Sequence, residues 1–467
     1  MRSFDFEKTP ITDILNDIIT DAVNRGASDI HFDPSKQDLI IRIRIDGDLM
    51  DYALVPLKNK NNITTRIKVI ANMNITETRL PQDGAIKREI NNKLLDLRVS
   101  SLPTNVGEKI VIRILDYSKS FQGLETLGFS AAALEKVYKL CKIPSGIILV
   151  TGATGTGKST TVYSILQKMN TEKVNIITVE DPVEMDLPRV NQVQVQPEIG
   201  LDFASVLRSI LRQDPNIIMV GEIRDNETAK IAVRASITGH IVLSTVHTNN
   251  SLNTIERLTD MEVERYLLGS ALMGIISQRL AKKLCPKCKI LVETSEYEKN
   301  AFRTVLHKEV NQIYKANKNG CQECINGYKG RIAILEVLTI TEAIRDAIVE
   351  GVPKEQLRDL VYMGDVISLL EDGLDKVVQG LTSFEEIVKI IDLDDDIAST
   401  DSDALKKNLS QSSEISQKEN EEFEKKKQQE KMLNVMNQTP TQNINQNTNI
   451  QTNTQNDINK NLETIDF

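Results

Sequence analysis

The run from Gly152 to Thr160 constrains this chain more than any other stretch, because it matches the phosphate-loop pattern G-x-x-x-x-G-K-[ST] at every fixed position. Residues 146–151 before it predict a buried parallel strand, and residues 160–169 predict the helix that follows. In such a loop the backbone N–H groups surround a phosphate, the lysine reaches the β/γ oxygens and the serine can ligate Mg²⁺. The sequence therefore predicts a nucleoside triphosphate site, with Lys158 and Ser159 in these two roles.

The composition limits the class of protein. A chain of 467 residues is long enough for two or three domains. Its net charge of −9, and the lack of a Lys/Arg stripe with interleaved aromatic residues, argue against direct binding of nucleic acid. The N-terminal residues lack an apolar signal core, and no stretch approaches the roughly 20 apolar residues of a membrane span. We therefore expect a cytoplasmic protein.

The periodicity of apolar residues predicts an α/β protein built from consecutive regions. Residues 1–118 predict an N-terminal mixed α/β domain, and residues 119–140 are interpreted as a linker. Within the first region the predicted elements are a helix over 11–25, strands over 39–45, 93–100 and 109–114, and turns at Asp46-Gly47 and Asp83-Gly84. Residues 141–280 predict a nucleotide-binding domain. Its strands, over 147–151, 174–179, 216–220 and 241–245, alternate with helices in the manner of a parallel sheet.

Three regions follow the nucleotide-binding domain. Residues 281–335 carry paired cysteines, and residues 336–395 predict a helical C-terminal lobe. Residues 396–467 are charged and then Asn/Gln-rich, with too few apolar side chains to offset the entropy cost of ordering, so they predict a disordered tail. A transient charged helix over 414–436 is compatible with this composition. The alternative for the tail is a partner-binding or assembly-prone segment.

Acidic residues follow two apolar strands predicted beyond the phosphate loop. Glu222 follows an apolar strand as in a Walker B motif, and we predict that it is the catalytic base. In the run from Glu180 to Glu184, we assign Glu180 to catalysis and both Asp181 and Glu184 to nucleotide binding. Several carboxylates beside a triphosphate imply Mg²⁺, because like charges would otherwise repel one another.

Two of the four histidines lie at either end of the next predicted strand. Their position favours sensing of a γ-phosphate or contact with a neighbouring subunit, and we assign His247 to catalysis and His240 to nucleotide binding. In the loop itself, the residues predicted to bind the nucleotide are Gly152, Ala153, Thr154, Gly155, Thr156, Gly157, Lys158, Ser159 and Thr160.

Four of the five cysteines form two C-x-x-C pairs, Cys285 with Cys288 and Cys321 with Cys324. Two such pairs can supply four thiolates tetrahedrally to Zn²⁺, and no histidine or acid leaves an open coordination position, so the pattern predicts a structural zinc site. A redox pair is the alternative. Cys141 has no partner in this pattern and is expected to pack in the linker.

Taken in order, these motifs resemble those of the ATPases that power type IV pilus assembly and type II secretion. The resemblance covers about residues 8 to 394. It rests on the phosphate loop, Glu180–Glu184, Gly221–Asp225 and Thr238–Asn249, and also on Ala27–His31, Arg79–Gly84 and Gly380–Glu386. The resemblance implies a RecA-like ATPase domain, the cofactors ATP, Mg²⁺ and Zn²⁺, and a homohexameric ring at the inner face of the cytoplasmic membrane.

The same resemblance assigns a role to two arginines and implies a partner protein. Arg98 and Arg113 match the positions from which the N-terminal domain reaches the γ-phosphate, and the planar guanidinium suits that role. The implied partner is a platform protein of the inner membrane, with peripheral membrane association through partners. The family's assembly ATPases carry the four-cysteine insert, whereas its retraction ATPases generally lack it. The alternatives are a retraction motor, a DNA-translocating conjugation ATPase and a nucleotide-gated scaffold with little turnover.

Overall fold

The computed structural model describes residues 1–116, 123–362 and 364–391. The predicted disordered tail over 396–467, with its transient helix over 414–436, lies outside the described residues. The described part contains an antiparallel sheet with two helices, a larger mostly parallel sheet with helices on both faces, and a small third sheet. The chain is therefore an α/β protein, as predicted.

The N-terminal domain is a six-stranded antiparallel sheet with the order β3-β2-β1-β6-β5-β4. Its strands are β1 (Asp29–Pro34), β2 (Asp38–Ile45), β3 (Asp48–Pro56), β4 (Gln82–Ile90), β5 (Lys93–Thr104) and β6 (Gly107–Asp116), and its helices are α1 (Ile11–Asn24) and α2 (Leu57–Ile70). Along β2, every second residue is buried against the helices, namely Leu39, Ile41, Ile43 and Ile45. The opposite face of β2 carries Asp38, Ile40, Arg42 and Arg44.

The sequence predicts part of this domain. Helix α1 and strands β2, β5 and β6 lie where expected, while β1, β3, β4 and α2 were not predicted. The prediction of a turn at Asp83-Gly84 is wrong, because both residues lie in strand β4. A Cβ atom on Gly84 would lie 2.3 Å from the backbone oxygen of Ala71, so this glycine permits close packing of two backbone segments.

The nucleotide-binding domain is built on a seven-stranded sheet with the order β15-β12-β7-β11-β10-β8-β9. The strands from here on are β7 (Gly146–Thr151), β8 (Ile176–Glu180), β9 (Val190–Gln194), β10 (Ile217–Val220), β11 (Ile241–Val246), β12 (Leu272–Leu284), β13 (Ile290–Glu293), β14 (Gln312–Lys315) and β15 (Tyr328–Thr339). Strand β15 is antiparallel to β12, and all other neighbours in the large sheet are parallel. Strands β7, β8, β10 and β11 agree with the predicted ranges to within two residues.

Helices cover both faces of this sheet, so its central strands are apolar on both sides. The helices are α3 (Ala131–Leu140), α4 (Lys158–Met169), α5 (Phe203–Ile210), α6 (Asn226–Ile237), α7 (Ser251–Asp260), α8 (Arg265–Ala271), α9 (Glu296–Leu306), α10 (Glu342–Glu350), α11 (Lys354–Tyr362), α12 (Leu369–Val378) and α13 (Phe384–Ile390). Helices α3 and α4 pack on one face, and α5 to α8 with α10 and α11 pack on the other. Helix α3 falls in the segment interpreted as a linker, yet its Val137 and Leu140 are buried in this core.

The paired cysteines lie in an insertion between β12 and β15, which are neighbours in the large sheet. Strands β13 and β14 form a separate two-stranded sheet inside the insertion. Helices α9, α12 and α13 bury a common apolar cluster that includes Phe302 and Phe384. The insertion and the end of the C-terminal lobe therefore share one small core.

We expect Gly84→Ala to destabilise the N-terminal domain by about 1–3 kcal/mol, because the new methyl group forces strand β4 away from Ala71. Gly364→Ala is the matched control, since its Cβ atom would lie 3.4 Å from the nearest atom, the oxygen of Val361. Urea unfolding of the full chain, followed by circular dichroism, should show a lower midpoint for Gly84→Ala alone. Equal midpoints for the two variants would contradict this account of Gly84.

Candidate functional site

The phosphate loop joins the central strand β7 to helix α4. Gly152, Gly155 and Gly157 have φ angles of 151°, 82° and 88°, a region that side chains with a Cβ atom disfavour. The Lys158 ammonium group donates to the backbone oxygens of Gly152 at 2.8 Å and Ala153 at 3.1 Å. The side chain of Ser159 is exposed at the start of α4. The loop therefore encloses its lysine and presents its serine, Ala153, Thr154 and Gly155 to solvent.

Lys158 is a buried cation, with 8% of its surface exposed. Burial lowers the pKa of Lys158 below its ordinary value; Glu222 opposes this shift and Arg279 adds to it. A buried ammonium group held only by carbonyl dipoles is better stabilised by an anion, so the site suits a phosphate group electrostatically. The charge distribution is thus consistent with the binding predicted from the loop sequence.

Glu222 follows the carboxyl end of β10, two strands away from β7. Its carboxylate forms an ion pair with Arg224, and its second oxygen lies 3.3 Å from Nε2 of His247. Because β7, β10 and β11 are parallel, their carboxyl ends meet at one edge, which brings Lys158, Glu222 and His247 together. The pairing with Arg224 was not predicted, since the spacing of two residues is uninformative in a loop.

The loop that carries His247 is tied to the phosphate loop through Thr151, the last residue of β7. The Thr151 hydroxyl contacts the Thr248 hydroxyl at 2.5 Å and its backbone oxygen at 2.9 Å. The backbone N–H of Thr248 donates back to the Thr151 hydroxyl at 3.2 Å. This threonine pair holds the two loops side by side.

His240 does not join this group. It precedes β11, and its Nδ1 lies 2.9 Å from the backbone oxygen of Ala235. It therefore sits at the amino end of the strand, and at about 3.3 Å per residue the six residues of β11 separate it from the phosphate-loop edge by about 20 Å. The prediction that His240 binds the nucleotide of its own subunit does not fit this placement.

Glu180 is also placed differently from its predicted role. It is 3% exposed and its carboxylate accepts hydrogen bonds from Tyr163, from Thr178 at 2.6 Å and from Gln192 at 3.0 Å. Burial raises the pKa of Tyr163 above its ordinary value, with the Glu180 charge acting in the same direction. These three donors occupy Glu180 in a buried network between β8, β9 and α4, so a direct catalytic role for Glu180 stays a prediction without support from its contacts.

The segment after β8 faces the N-terminal domain. Arg98 donates to the backbone oxygen of Val183 at 3.2 Å. Burial raises the pKa of Glu184, and the positive charges of Arg98 and Arg113 oppose that shift. Asp181 is exposed at the start of the segment. The N-terminal domain thus brings Arg98 against the acidic segment of the nucleotide-binding domain.

The side chain of Arg113 is 68% exposed, and it forms an ion pair with Asp29 of the same domain. Its Nε donates to Oδ1 of Asp29 at 3.1 Å, while Nε of Arg44 lies 3.7 Å from the other oxygen of that carboxylate. Strand pairing places Arg98 opposite Arg113 and Asp29 opposite both Arg113 and Arg44. The two predicted arginines therefore project from one face of the antiparallel sheet.

The four paired cysteines form a cluster in which all the sulfur atoms lie within 4.8 Å of one another. The Sγ–Sγ distances are 3.8 Å for Cys285 and Cys321, and 3.5 Å for Cys288 and Cys324. Tetrahedral Zn–S bonds of about 2.3 Å require sulfur atoms about 3.8 Å apart, whereas a disulfide requires about 2.0 Å. The cluster therefore fits a Zn²⁺ ion held by four thiolates. Cys141 lies outside it and packs beside the core next to α3.

Comparison with known proteins identifies the family of this chain. Residues 5–389 match the family described as Type II/IV secretion system protein. The chain belongs to this family. It is 42% identical over 385 residues to the type II secretion system ATPase E of Vibrio cholerae, covering 82% of this chain and 76% of that protein. It is also 42% identical over 384 residues to the type IV pilus assembly ATPase PilB of Myxococcus xanthus, covering 82% of this chain and 68% of the relative.

Solved structures support the fold of this family member. The pilus retraction motor PilT with bound ADP is similar with a TM-score of 0.55 and 28% identity, over 80% of this chain and 96% of PilT. The ATPase DotB of Legionella pneumophila is similar with a TM-score of 0.62 and 21% identity, over 84% of this chain and 98% of DotB, which supports the fold alone. Within the described ranges, no helix combines the length and the apolar composition needed to span a membrane.

We expect Cys324→Ser to reduce bound zinc from about one ion per chain to near zero, because three thiolates leave a tetrahedral site incomplete. Cys141→Ser is the matched control, since this thiol lies outside the cluster and its loss should leave the zinc content unchanged. Elemental analysis of purified, dialysed protein measures both. Wild-type protein without zinc would contradict the assignment.

Proposed function

We propose that this chain is an ATPase motor that hydrolyses ATP to power assembly of a type IV pilus or a type II secretion pseudopilus. The observation that carries the proposal is the convergence of Lys158, Glu222 and His247 at one edge of the parallel sheet. The type of machine comes from the relatives, since those at 42% identity are named as a type II secretion ATPase and a pilus assembly ATPase.

We infer the roles of the chain's own groups from their positions. Lys158 would exchange its carbonyl partners for phosphate oxygens, which are stronger acceptors because they are charged. Ser159 would hold Mg²⁺, which supplies positive charge that stabilises the reacting phosphoryl group. Glu222 would accept the proton of the attacking water once it leaves its ion pair with Arg224, and His247 would orient that carboxylate.

The N-terminal domain would complete the site during turnover. Arg98 already contacts the acidic segment, and Arg113 is exposed on the same face of its sheet. Closure of this domain over the bound nucleotide would bring both guanidinium groups to the γ-phosphate, and release of phosphate would let the domain open. In a homohexamer this opening and closing would move around the ring and be the mechanical output.

Family membership also supports a proposal for the surroundings of the motor. We propose that the ring works at the cytoplasmic face of the membrane, through contact with a platform protein and without direct binding of nucleic acid. The four cysteines would hold Zn²⁺ as a structural ion that fixes the insertion between β12 and β15.

A retraction motor is the less supported alternative. The relatives at 42% identity are secretion and assembly ATPases, whereas the retraction motor PilT is 28% identical. The cysteine cluster also favours the assembly type, because retraction ATPases generally lack this insert. The alternative that is not a motor is a nucleotide-gated scaffold with little turnover. The rate of ATP hydrolysis distinguishes this scaffold from a motor.

We expect Glu222→Gln to lower kcat for ATP hydrolysis by about 10²–10⁴-fold, because glutamine cannot accept the proton of the attacking water. The dissociation constant for ATP should change little, since the phosphate loop is intact. Phosphate release and binding of a fluorescent ATP analogue measure the two quantities.

The control for this experiment is Glu262→Gln, which removes an exposed carboxylate paired with Lys230. Its kcat should equal that of the wild type. Wild-type and Glu222→Gln proteins with the same near-zero rate would contradict the motor and leave the scaffold.

We expect Arg98→Ala to reduce kcat by about 10³-fold while the affinity for ATP changes little, because a guanidinium that acts on the developing charge contributes to the transition state. Arg98→Lys should recover little of this rate, since an ammonium group lacks the planar donor pair. Arg189→Ala, which removes an exposed arginine paired with Glu172, is the control in steady-state kinetics. An unchanged kcat for Arg98→Ala would overturn the proposed role.

A further inference from the structure

Gln278 is a buried polar residue in a mostly apolar strand. It lies in β12, the strand next to β7 in the large sheet, and is 3% exposed. Its side-chain amide nitrogen donates to the backbone oxygen of Thr156 at 2.6 Å. Its side-chain oxygen accepts from the Thr161 hydroxyl at 2.6 Å. One amide group thus contacts the phosphate loop before Lys158 and helix α4 after it.

The chemistry of the two partners determines how this amide is oriented. The Thr156 carbonyl can only accept a hydrogen bond, so the amide nitrogen must face it. The Thr161 hydroxyl then donates to the remaining amide oxygen. Both ends of the Gln278 side chain are therefore satisfied by phosphate-loop and α4 atoms, and neither glutamate nor an apolar residue can reproduce the pair of bonds.

Two glycines of the phosphate loop pack directly against Gln278. A Cβ atom on Gly157 would lie 2.9 Å from the amide nitrogen of Gln278, and a Cβ atom on Gly152 would lie 2.5 Å from its backbone oxygen. The loop therefore lies on Gln278 without space for a side chain between them. Contact with Gln278, a residue more than 100 positions later in the chain, is therefore one reason why the loop has glycine at positions 152 and 157.

The next residue extends the contact to the histidine loop. Arg279 donates to the backbone oxygen of Asn249 at 2.6 Å and to that of Gln278 at 3.3 Å. Asn249 belongs to the same loop as His247. Residues of strand β12 thus contact both loops of the site, although neither Gln278 nor Arg279 belongs to the motifs that carry the family resemblance.

We propose that Gln278 is a positioning residue that holds the phosphate loop in its nucleotide-binding conformation. The inference rests on the proposed function, in which this loop binds ATP. Gln278 acts through Thr156 and Thr161 and does not itself contact the substrate. Its loss leaves a buried carbonyl without a donor and frees the loop to adopt other conformations, so its effect falls on binding more than on chemistry.

The test compares Gln278→Met, which keeps the volume and removes both hydrogen bonds, with Gln278→Glu, which keeps an acceptor for Thr161 and faces the Thr156 carbonyl with a second acceptor. We expect the dissociation constant for Mg-ATP to rise about 10-fold for Gln278→Met and further for Gln278→Glu. Gln312→Met, at an exposed glutamine in β14, is the matched control and should bind as the wild type does. Thr161→Val should reproduce much of the Gln278→Met effect, and the double variant should be less than additive.

Hydrogen exchange without nucleotide provides a second measurement that a general loss of stability would not reproduce. Amide exchange over residues 152–161 should accelerate in Gln278→Met, while exchange in the N-terminal sheet stays unchanged. If wild type and Gln278→Met bind Mg-ATP equally, or if exchange in the loop is equal, the positioning role is overturned and the proposed ATPase stands. If the wild type itself does not bind Mg-ATP, the proposed function fails and this inference with it.

Discussion

The position of β7 between two parallel neighbours is the constraint on which the active site depends. Strand β7 pairs with β11 on one side and with β12 on the other, and each of these neighbours places polar groups near the phosphate loop. From β11 come Thr248 and His247, and from β12 comes Gln278. A loop of small residues has little conformational preference of its own, so these neighbours supply the contacts that define its shape.

The insertion after β12 links the four-cysteine cluster to the rest of the molecule. Lys282 of β12 forms an ion pair with Asp48 at 2.5 Å, and the backbone N–H of Gly330 donates to Asp46 at 2.7 Å. Ile325, next to the last cysteine of the cluster, packs against the core of the N-terminal domain. The turn between β2 and β3 therefore contacts residues that flank the cysteines. Through these contacts, the fold of the insertion affects the position of the domain that carries Arg98 and Arg113.

The pattern of neighbouring residues predicts those strands and helices whose sequence signal lies within the element itself. The strands β7, β8, β10 and β11 are apolar on both sides because helices cover both faces, and such runs are easily found. Strand β4 was missed and a turn assigned to Asp83-Gly84, because an Asp-Gly pair is a common turn signal while close packing against Ala71 leaves no local trace. His240 was placed in the site because it lies near a motif in sequence, whereas the direction of β11 puts it at the opposite edge.

The residue pattern alone identifies a phosphate loop with Lys158 and Ser159, an acidic strand end at Glu222 and four cysteines in two pairs, since each is a pattern of neighbouring residues. Which groups meet depends on the fold, which brings together Glu222 with Arg224 and His247, Arg98 with the segment after β8, and Gln278 with the phosphate loop. The physical reason is that strand order and direction control these distances. A glutamine more than 100 residues from the loop becomes its neighbour only when β12 pairs with β7.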